Sequence, residues 1–126
     1  MKRSPVLQPL SREHHTALAL AKASERAARS GDEVQVRLAC QRVIHAFIDE
    51  LEPHFQFEEV SLLPLLSSTA TQPLVERTLA DHRQLRGLLD ALRQSDAGPL
   101  DSFGKCLTAH VRFEERELFP VFESLL

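Results

Sequence analysis

Apolar residues recur along this chain at spacings of three and four, the period of an amphipathic α-helix. The first pattern predicts a helix that begins near Ser11 and ends at Gly31. A second helix follows directly, with Asp32 and Gln35 placed as a capping box. Pro53 interrupts its pattern, but the helical period continues beyond it, so we expect a kink rather than a stop. The stripe of the first helix comprises Leu10, His14, Leu18, Ala21, Glu25 and Ala28.

Two further helices follow a clear loop. The loop covers residues 67–73, which are rich in Ser and Thr and end in a proline. The third helix is predicted for about 73–94, with a turn at 95–99 behind it. The fourth is predicted to start near Asp101 and to run almost to the end of the chain.

Signals for β-strands are nearly absent, because the chain shows no sustained period-two alternation and no Asn-Gly or Asp-Gly turn. Four amphipathic helices with short loops favour an all-α fold, an up-down-up-down antiparallel four-helix bundle. A length of 126 residues allows one domain with one modest core. We therefore expect a single domain over residues 1–126, with its core at about 10–126.

One segment of the chain occurs twice. Residues 54–64 return as 110–120, 56 positions later (110 − 54), with His, Phe, Glu, Glu, Leu and Pro at matching places. A core explains repeated apolar positions, but not a repeated His-x-x-x-Glu. Four residues advance a helix by about 400°, so the His and Glu of each copy project from one face. Two such pairs indicate a site for two metal ions.

A shorter repeat precedes each copy. Glu13-His14 is echoed by Asp81-His82, 68 positions later (81 − 13). Each half of the chain is then a helical hairpin with one His on its first helix and His-x-x-x-Glu on its second. If the halves fold face to face, four His and two Glu converge on the centre of the bundle.

Composition narrows the class of protein. The chain is 43% hydrophobic and 26% charged, as in soluble globular proteins, and its net charge of −3 argues against nucleic acid as a partner. No apolar run approaches the roughly 20 residues that span a bilayer, and the basic N-terminus lacks the apolar segment of a secretory signal. The two cysteines are interpreted as thiols in a reducing compartment. We expect a cytoplasmic protein without a membrane partner.

Imidazole and carboxylate together suit iron, manganese or zinc. A carboxylate can also bridge two cations about 3.5–4 Å apart. Six protein ligands are too few for two six-coordinate ions, so we expect a solvent-derived bridge and open positions for a small exogenous ligand. The Glu-x-x-His pattern of ferritin-like di-iron sites fails, because the residues three before these histidines are Ser11, Leu51, Leu79 and Leu107.

The order, spacing and duplication of these motifs resemble a hemerythrin-like protein of the bacterial His-His-Glu cation-binding type. The resemblance covers nearly the whole chain, from about Leu10 to Leu126. It implies a four-helix bundle with a non-haem di-iron centre, which binds O₂ or NO or which senses or buffers iron and oxidants. The ligands carried over by position are His14, His54, Glu58, His82, His110 and Glu114.

Two positions depart from the oxygen-carrying hemerythrins that this chain resembles. Those carriers have a second His four residues after the ligand on the third helix, where this chain has Arg86. Their final pair is His-x-x-x-x-Asp, whereas this chain has His110 and Glu114 in a His-x-x-x-Glu. We therefore expect more open positions at one metal. Redox reactivity, another small ligand or a mixed metal is then favoured over reversible O₂ carriage.

Residues beside the candidate ligands leave alternatives open. His14 shares its stripe with Leu18, which favours it as a ligand over the neighbouring His15. Glu59 and Glu115 follow the two candidate glutamates directly. They are expected to face elsewhere, in solvent or in ion pairs between helices.

The remaining polar candidates are assigned to surface or packing roles. His45 is predicted at the surface, and Arg86 is expected to reach solvent or an acidic neighbour. Cys106 lies one turn before His110 and is interpreted as a small buried side chain, as is Cys40. Four aromatic residues are expected in the core, where they would keep the site dry: Phe55, Phe57, Phe113 and Phe119.

Three functional hypotheses follow from these residues. The leading one is a di-iron protein that binds or reacts with O₂, NO or peroxide for sensing, storage or detoxification. The second is a small oxidoreductase that reduces NO or peroxide and depends on a separate electron-donor protein, because the chain has no flavin or nicotinamide motif. The third is a metal-free helical interaction module. Enzymatic activity, metal identity and oligomeric state stay open.

Overall fold

The computed structural model describes residues 3–126, and all regular secondary structure in that range is helical. Four long helices, α1 to α4, form a bundle. Short 3₁₀ turns at Leu63–Leu65 and Thr69–Thr71 connect α2 to α3. Helix α1 is Gln8–Arg29; α2 is Glu33–Ala46 continued by Phe47–Leu51, Glu52–Phe57 and Glu58–Leu62; α3 is Gln72–Leu92; α4 is Ala97–Phe113 continued by Glu114–Leu118 and Phe119–Leu125.

Helix α1 begins earlier than predicted. Its first residue is Gln8, and Pro9 lies in the first turn, where a missing N–H leaves no helical hydrogen bond unmade. Ser11 is therefore inside the helix rather than at its cap. Its hydroxyl donates instead to Glu115 of α4, at 2.8 Å.

The turn between α1 and α2 lies where it was predicted, but only half of the predicted capping box forms, because the backbone N–H of Asp32 donates to Ser30 and not to Gln35. Gly31 has φ +70°, a left-handed conformation that glycine adopts without a side-chain clash. Asp32 then caps α2, because its carboxylate accepts hydrogen bonds from the backbone N–H groups of Val34 and Gln35.

Helix α4 starts at Ala97, four residues before the predicted Asp101. The sequence prediction placed Gly98 and Pro99 in a loop, but both lie in the first turn of the helix. Proline is tolerated there because the first-turn N–H groups have no helical partner. The preceding turn is made by Ser95, with φ 58°.

Pro53 does not end α2, as predicted, and the helix adapts to it by a π-turn. The backbone N–H of Glu52 bonds to the carbonyl of Phe47, five residues back. Such a turn accommodates a residue that lacks an N–H and whose ring collides with the carbonyl four residues earlier. The same device recurs before Pro64 and Pro120. The three π-turns are Phe47–Leu51, Glu58–Leu62 and Glu114–Leu118.

Two apolar clusters fill the bundle. One is built around Phe47, Phe55 and Phe103, and the other around residues such as Phe119 and Phe122. Buried polar residues separate them along the helices. On α1 these clusters meet in Ala17 and Leu10, which flank His14.

The predicted core aromatics are buried, with one exception. Phe55, Phe113 and Phe119 are at most 5% exposed, but Phe57 is 40% exposed, so its placement in the core was wrong. The inward stripe of α2 passes through positions 51, 55, 58 and 62, and position 57 lies outside it. Of the two cysteines, Cys40 is buried as predicted, whereas Cys106 is half-buried and packs against the first apolar cluster.

No helix within residues 3–126 combines the length and the apolar character needed to cross a membrane.

The closest approach of α1 and α4 requires a glycine. A Cβ on Gly104 would lie 2.7 Å from the carbonyl oxygen of Ala21. Gly104→Ala should therefore force the two helices apart and lower the free energy of unfolding by about 1–3 kcal/mol. Gly87→Ala is the matched control, because a Cβ there meets nothing within 4 Å. That substitution in α3 should raise stability by up to about 1 kcal/mol.

Urea unfolding of both variants, followed by circular dichroism, measures the two effects. Equal midpoints would show that the contact between Gly104 and Ala21 does not limit the approach of the helices.

Candidate metal centre

Six buried polar side chains meet at the centre of the bundle. All are at most 5% exposed, although histidine and glutamate seldom lie in a core without partners. Helices α1 and α3 each contribute one histidine, and α2 and α4 each contribute one histidine and one glutamate. The structure thus brings together all six predicted residues, here termed the central cluster: His14, His54, Glu58, His82, His110 and Glu114.

The central cluster consists of two four-residue groups. His14 and His54 form one side, and His82 and His110 form the other; Glu58 and Glu114 belong to both. In each group, the candidate ligand atoms lie within 4.8 Å of one another. Each group is therefore compact enough to surround one metal ion, and the two groups share their carboxylates.

Glu58 directs one oxygen to each side. Its Oε2 lies 3.1 Å from Nε2 of His54, and its Oε1 lies 3.0 Å from Nε2 of His82. A carboxylate that is divided between two imidazole pairs in this way has the orientation of a bridging ligand.

Glu114 repeats this arrangement from α4. Its Oε1 lies 2.8 Å from Nε2 of His14, and its Oε2 lies 3.2 Å from Nε2 of His110. The Nε2 atoms of all four histidines therefore point inward, each toward an oxygen of a shared glutamate. Glu58 and Glu114 occupy matching positions in the two copies of the sequence repeat, and in the structure they have equivalent positions in the cluster.

Two buried atoms of the central cluster form no hydrogen bond, and a bound cation would give both of them a partner. Among residues 3–126, His110 Nε2 and Glu114 Oε2 are fully buried without a hydrogen-bond partner, although they lie close together. Buried polar atoms that lack partners are costly. A metal ion would satisfy both lone pairs, and a set of imidazoles and carboxylates suits iron, manganese or zinc.

The carboxylates of the cluster raise the pKa of two of its histidines. Burial alone would lower the pKa of His54, but hydrogen bonds and attraction from Glu114 and Glu58 outweigh it and raise the pKa to about 11. Burial likewise opposes the charged form of His110, while Glu114, Asp81 and Glu58 raise its pKa to about 10. In the metal-free protein His54 and His110 are therefore positively charged imidazolium groups at neutral pH.

The two glutamates respond in opposite directions. Burial and the neighbouring Glu114 raise the pKa of Glu58. Burial also disfavours the Glu114 anion, but His110 and hydrogen bonds with His14 and His54 hold its pKa well below the usual range. Two buried carboxylates in contact cannot both ionise without nearby cations. In the metal-free protein, protonated histidines offset the negative charge of the carboxylates. A pair of bound metal ions would do the same.

Four further carboxylates surround the cluster, and they are here termed the outer carboxylates. Each accepts a hydrogen bond from the Nδ1 of one histidine of the cluster, so that Nε2 is left to face inward. The pairs are His14 with Glu115 at 2.6 Å, His54 with Glu13 at 3.0 Å, His82 with Glu59 at 2.6 Å, and His110 with Asp81 at 2.9 Å.

The sequence interpretation missed this role. Glu59 and Glu115 were expected to face elsewhere, in solvent or in ion pairs between helices, and they do bridge helices; their partners, however, are histidines of the central cluster. A signal existed in the sequence, because an acidic residue stands directly beside one cluster residue in each of the four motifs. The acidic residue of each helix accepts a hydrogen bond from the cluster histidine of the next helix, in the cyclic order α1, α2, α3, α4 and back to α1.

Arginines hold three of the outer carboxylates. Arg3 pairs with Glu115 at 3.1 Å, and Arg77 pairs with Asp81 at 3.0 Å. Arg86 binds Glu59 at 2.9 Å.

Arg86 reaches acidic neighbours, as predicted. Besides Glu59, its guanidinium makes two bonds to Glu52, at 2.8 and 2.7 Å. It lies on the outer side of His82 and does not enter the cluster. Where oxygen carriers have another histidine, this chain therefore has an arginine that holds His82 in place through Glu59.

The alternative ligand on α1 is not in the cluster. His14 is 4% exposed and contacts Glu114 and Glu115, whereas His15 is exposed. His45 is also exposed, as predicted.

A small chamber adjoins the cluster on its apolar side. Its volume is about 10 Å³, enough for roughly one water-sized molecule. It touches the rings of His14, His54 and His110. Apolar side chains complete its wall: Ala17, Leu51, Phe55, Leu107 and Val111.

Comparison with known proteins supports the same reading of the site. The family model described as the hemerythrin HHE cation binding domain matches residues 6–122, which include every residue of the central cluster and all four outer carboxylates. Searches of curated proteins and of solved structures gave no significant match.

The raised histidine pKa values predict a pH dependence for the metal-free protein. A group whose folded-state pKa exceeds its unfolded value, here 6.5, contributes stability below that value and loses it as pH rises through the folded pKa. For His54 and His110 that loss extends from about pH 7 to between 10 and 11. Thermal unfolding of the metal-free protein should therefore show a falling Tm over this range.

Zinc-loaded protein is the control, because a metal holds these imidazoles deprotonated at all these pH values. A metal-free Tm that stays constant between pH 7 and 10 would contradict the protonated state of the cluster.

The outer carboxylates should contribute to metal affinity without binding a metal themselves. Asp81→Asn removes the charge beside His110 while keeping its shape, and it should weaken metal binding by about 10–100-fold. Asp90→Asn on the same helix is the matched control, because that side chain is 87% exposed and should change nothing. Competition with a chromogenic zinc chelator measures both. Equal affinities of the two variants would contradict the assigned role.

Proposed function

The chain belongs to the hemerythrin HHE cation-binding domain family, and on that premise we propose that it is a non-haem di-iron protein that binds or reacts with a small molecule such as O₂, NO or peroxide. One observation carries the proposal. Glu58 and Glu114 each present one carboxylate oxygen to each of two histidine pairs. A site for a single ion would not need two shared carboxylates at complete burial.

The proposed ligands divide into two equal sets. One ion would be held by His14 and His54 and the other by His82 and His110, with Glu58 and Glu114 bridging both. Four protein donors leave a six-coordinate ion with open positions. Iron at such positions supplies electron transfer and Lewis acidity to a small bound molecule.

The helix order supports the finer architecture that we propose, an up-down-up-down antiparallel bundle. Each helix packs on the next one along the chain, and α1 packs most extensively on α4. Connections of a few residues join α1 to α2 and α3 to α4, as expected between antiparallel neighbours. The outer carboxylates follow this same cyclic order.

The chain's own residues would orient the histidines and exclude water. Each Nδ1–H donates to an outer carboxylate, which fixes the ring and leaves Nε2 as a lone-pair donor. Phe55 stacks on His82 with ring centroids 4.0 Å apart, and Phe119 stacks on His14 at 5.2 Å. Apolar cover of this kind lowers the local dielectric constant and limits the approach of solvent.

The surroundings of Arg86 favour reactivity or sensing over reversible O₂ carriage. Its guanidinium is bonded to Glu52 and Glu59, so α3 offers only His82 as an imidazole donor. Both proposed sites then have two histidines each, and each keeps open positions.

Ligand substitutions test the two-site proposal. Reconstituted under anaerobic conditions with ferrous iron, the protein should hold two iron ions per chain. Glu114→Ala removes a bridge that both ions share, so it should lose both. His14→Ala affects one site and should retain about one ion, whereas His15→Ala, the exposed neighbour, should retain two. Metal analysis after desalting measures the content, and an unsubstituted protein with a content near zero would overturn the proposal.

A further inference from the structure

We propose that the groove between α1 and α2 is the route by which a small neutral molecule reaches the central cluster, and that Glu13 is the specificity-determining residue at its inner end. The proposal rests on the proposed function, since it concerns the ligand of the same centre. Three observations carry it: a groove on that seam, its continuity with the inner chamber, and the arginine–phenylalanine contacts over the other three seams.

The groove is a surface cavity of about 330 Å³. On α1 it extends from Glu13 to Ala23, which is about 15 Å at the rise of an α-helix. Its floor is mostly apolar, and Arg42 lies at its outer end. The apolar lining comprises Ala17, Ala19, Leu20, Ala23, Ala46 and Leu51.

The groove leads to the cluster. Glu13, Ala17, Leu51 and His54 line both the groove and the chamber that touches the histidine rings. Ala17 and Leu51 are 4% and 7% exposed, so these two small or flexible side chains form the partition between the two spaces. A molecule that passes between them meets His54 directly.

At the level of the cluster, an arginine covers each of the other three seams of the bundle. At each of them, the arginine that holds the outer carboxylate also lies over a phenylalanine ring. The guanidinium-to-ring distances are 5.6 Å for Arg3 over Phe119, 5.8 Å for Arg86 over Phe55, and 4.6 Å for Arg77 over Phe113. Each lid joins an ion pair to a cation–π contact.

The seam between α1 and α2 has no such lid. Within residues 3–126, the Glu13 carboxylate bonds to His54 and forms no ion pair with an arginine or a lysine. Its side chain is 49% exposed, against 29%, 24% and 16% for Glu115, Glu59 and Asp81. Glu13 is therefore the one outer carboxylate that can move without breaking an arginine contact.

The charge of Glu13 sets the preference of the route. An anion that enters the groove passes Arg42 and then approaches two carboxylates, Glu13 and Glu50, before it reaches His54, so the charged side chains of the lining carry one net negative charge. A neutral diatomic meets no such repulsion, and it suits both the apolar floor and a chamber of about 10 Å³. The route thus favours O₂ or NO over a small anion of similar size.

Narrowing the groove tests the route. Ala46→Phe places a ring in the groove away from the cluster, whereas Ala39→Phe, seven residues earlier on α2, fills only the adjacent groove. In iron-reconstituted, reduced protein, Ala46→Phe should slow the association of NO by about tenfold, with iron content and equilibrium spectrum unchanged. Ala39→Phe should match the unsubstituted protein. Equal stopped-flow rates in all three would overturn the route.

Removing one charge tests the selectivity. Glu13→Gln keeps an amide oxygen that can accept from Nδ1 of His54. Compared at equal iron content, it should raise the ratio of the azide to the NO association rate on the order of threefold at low salt, whereas Asp90→Asn, the exposed control on α3, should leave that ratio as it is. An unchanged ratio in Glu13→Gln would overturn the role assigned to Glu13.

A metal-free measurement separates this inference from the proposed function. Dissolved O₂ is paramagnetic, so under O₂ pressure the methyl NMR signals of Ala17 and Leu51 should relax faster in metal-free protein. Ala46→Phe should reduce that effect, and Ala39→Phe should not. A chain that holds no iron but shows this pattern would refute the di-iron proposal and keep the route. The absence of any O₂ effect at these two methyl groups would refute the route whatever the metal content.

Discussion

Two glutamates buried side by side determine most of this structure. Glu58 and Glu114 have no exposed surface, and both face the axis of the bundle. Carboxylates in that position are stable only with positive charge around them, supplied by protonated imidazoles or by metal ions. Four inward Nε2 atoms meet that need, and four outer carboxylates keep the imidazoles in place. The arginines at the periphery complete a set of alternating charges from the centre to the surface.

The internal repeat explains why this arrangement closes on itself. In each motif a cluster residue and an outer carboxylate are neighbours in sequence, about 100° apart on the helix, so one serves the centre and the other serves the adjacent helix. Repetition in four helices gives a ring in which every histidine is held by the preceding helix. The π-turns that begin at Glu58 and Glu114 precede Pro64 and Pro120. Helix α4 continues through its proline, whereas α2 gives way to the 3₁₀ turn Leu63–Leu65.

The symmetry of the ring is broken at one seam. Arginine and phenylalanine cover the cluster where α2 meets α3, α3 meets α4 and α4 meets α1. Between α1 and α2 the cover is replaced by alanines and the unclamped Glu13. The central cluster is thus covered at three seams and bordered by a groove at the fourth.

Much of this could be predicted from the sequence, and the failures have physical reasons. Helical periodicity identifies the inward face, so spacing predicted that four His and two Glu converge, and His14 rather than the exposed His15 lies in that cluster. Periodicity does not say which helix a flanking residue meets, so the partners of Glu59 and Glu115 required the packed structure. The early starts of α1 and α4 were missed because prolines in a first helical turn resemble loop residues. Phe57 was misplaced because hydrophobicity alone does not distinguish the stripe from its edge.

The separation of the two metal ions is the most direct test of a centre built on shared carboxylates. X-ray absorption at the iron edge of the reconstituted protein should show an iron–iron distance of about 3.5–4 Å, as expected for two cations held by common bridges. An iron centre without any iron–iron scattering would contradict the account, because Glu58 and Glu114 would then hold one ion rather than join two.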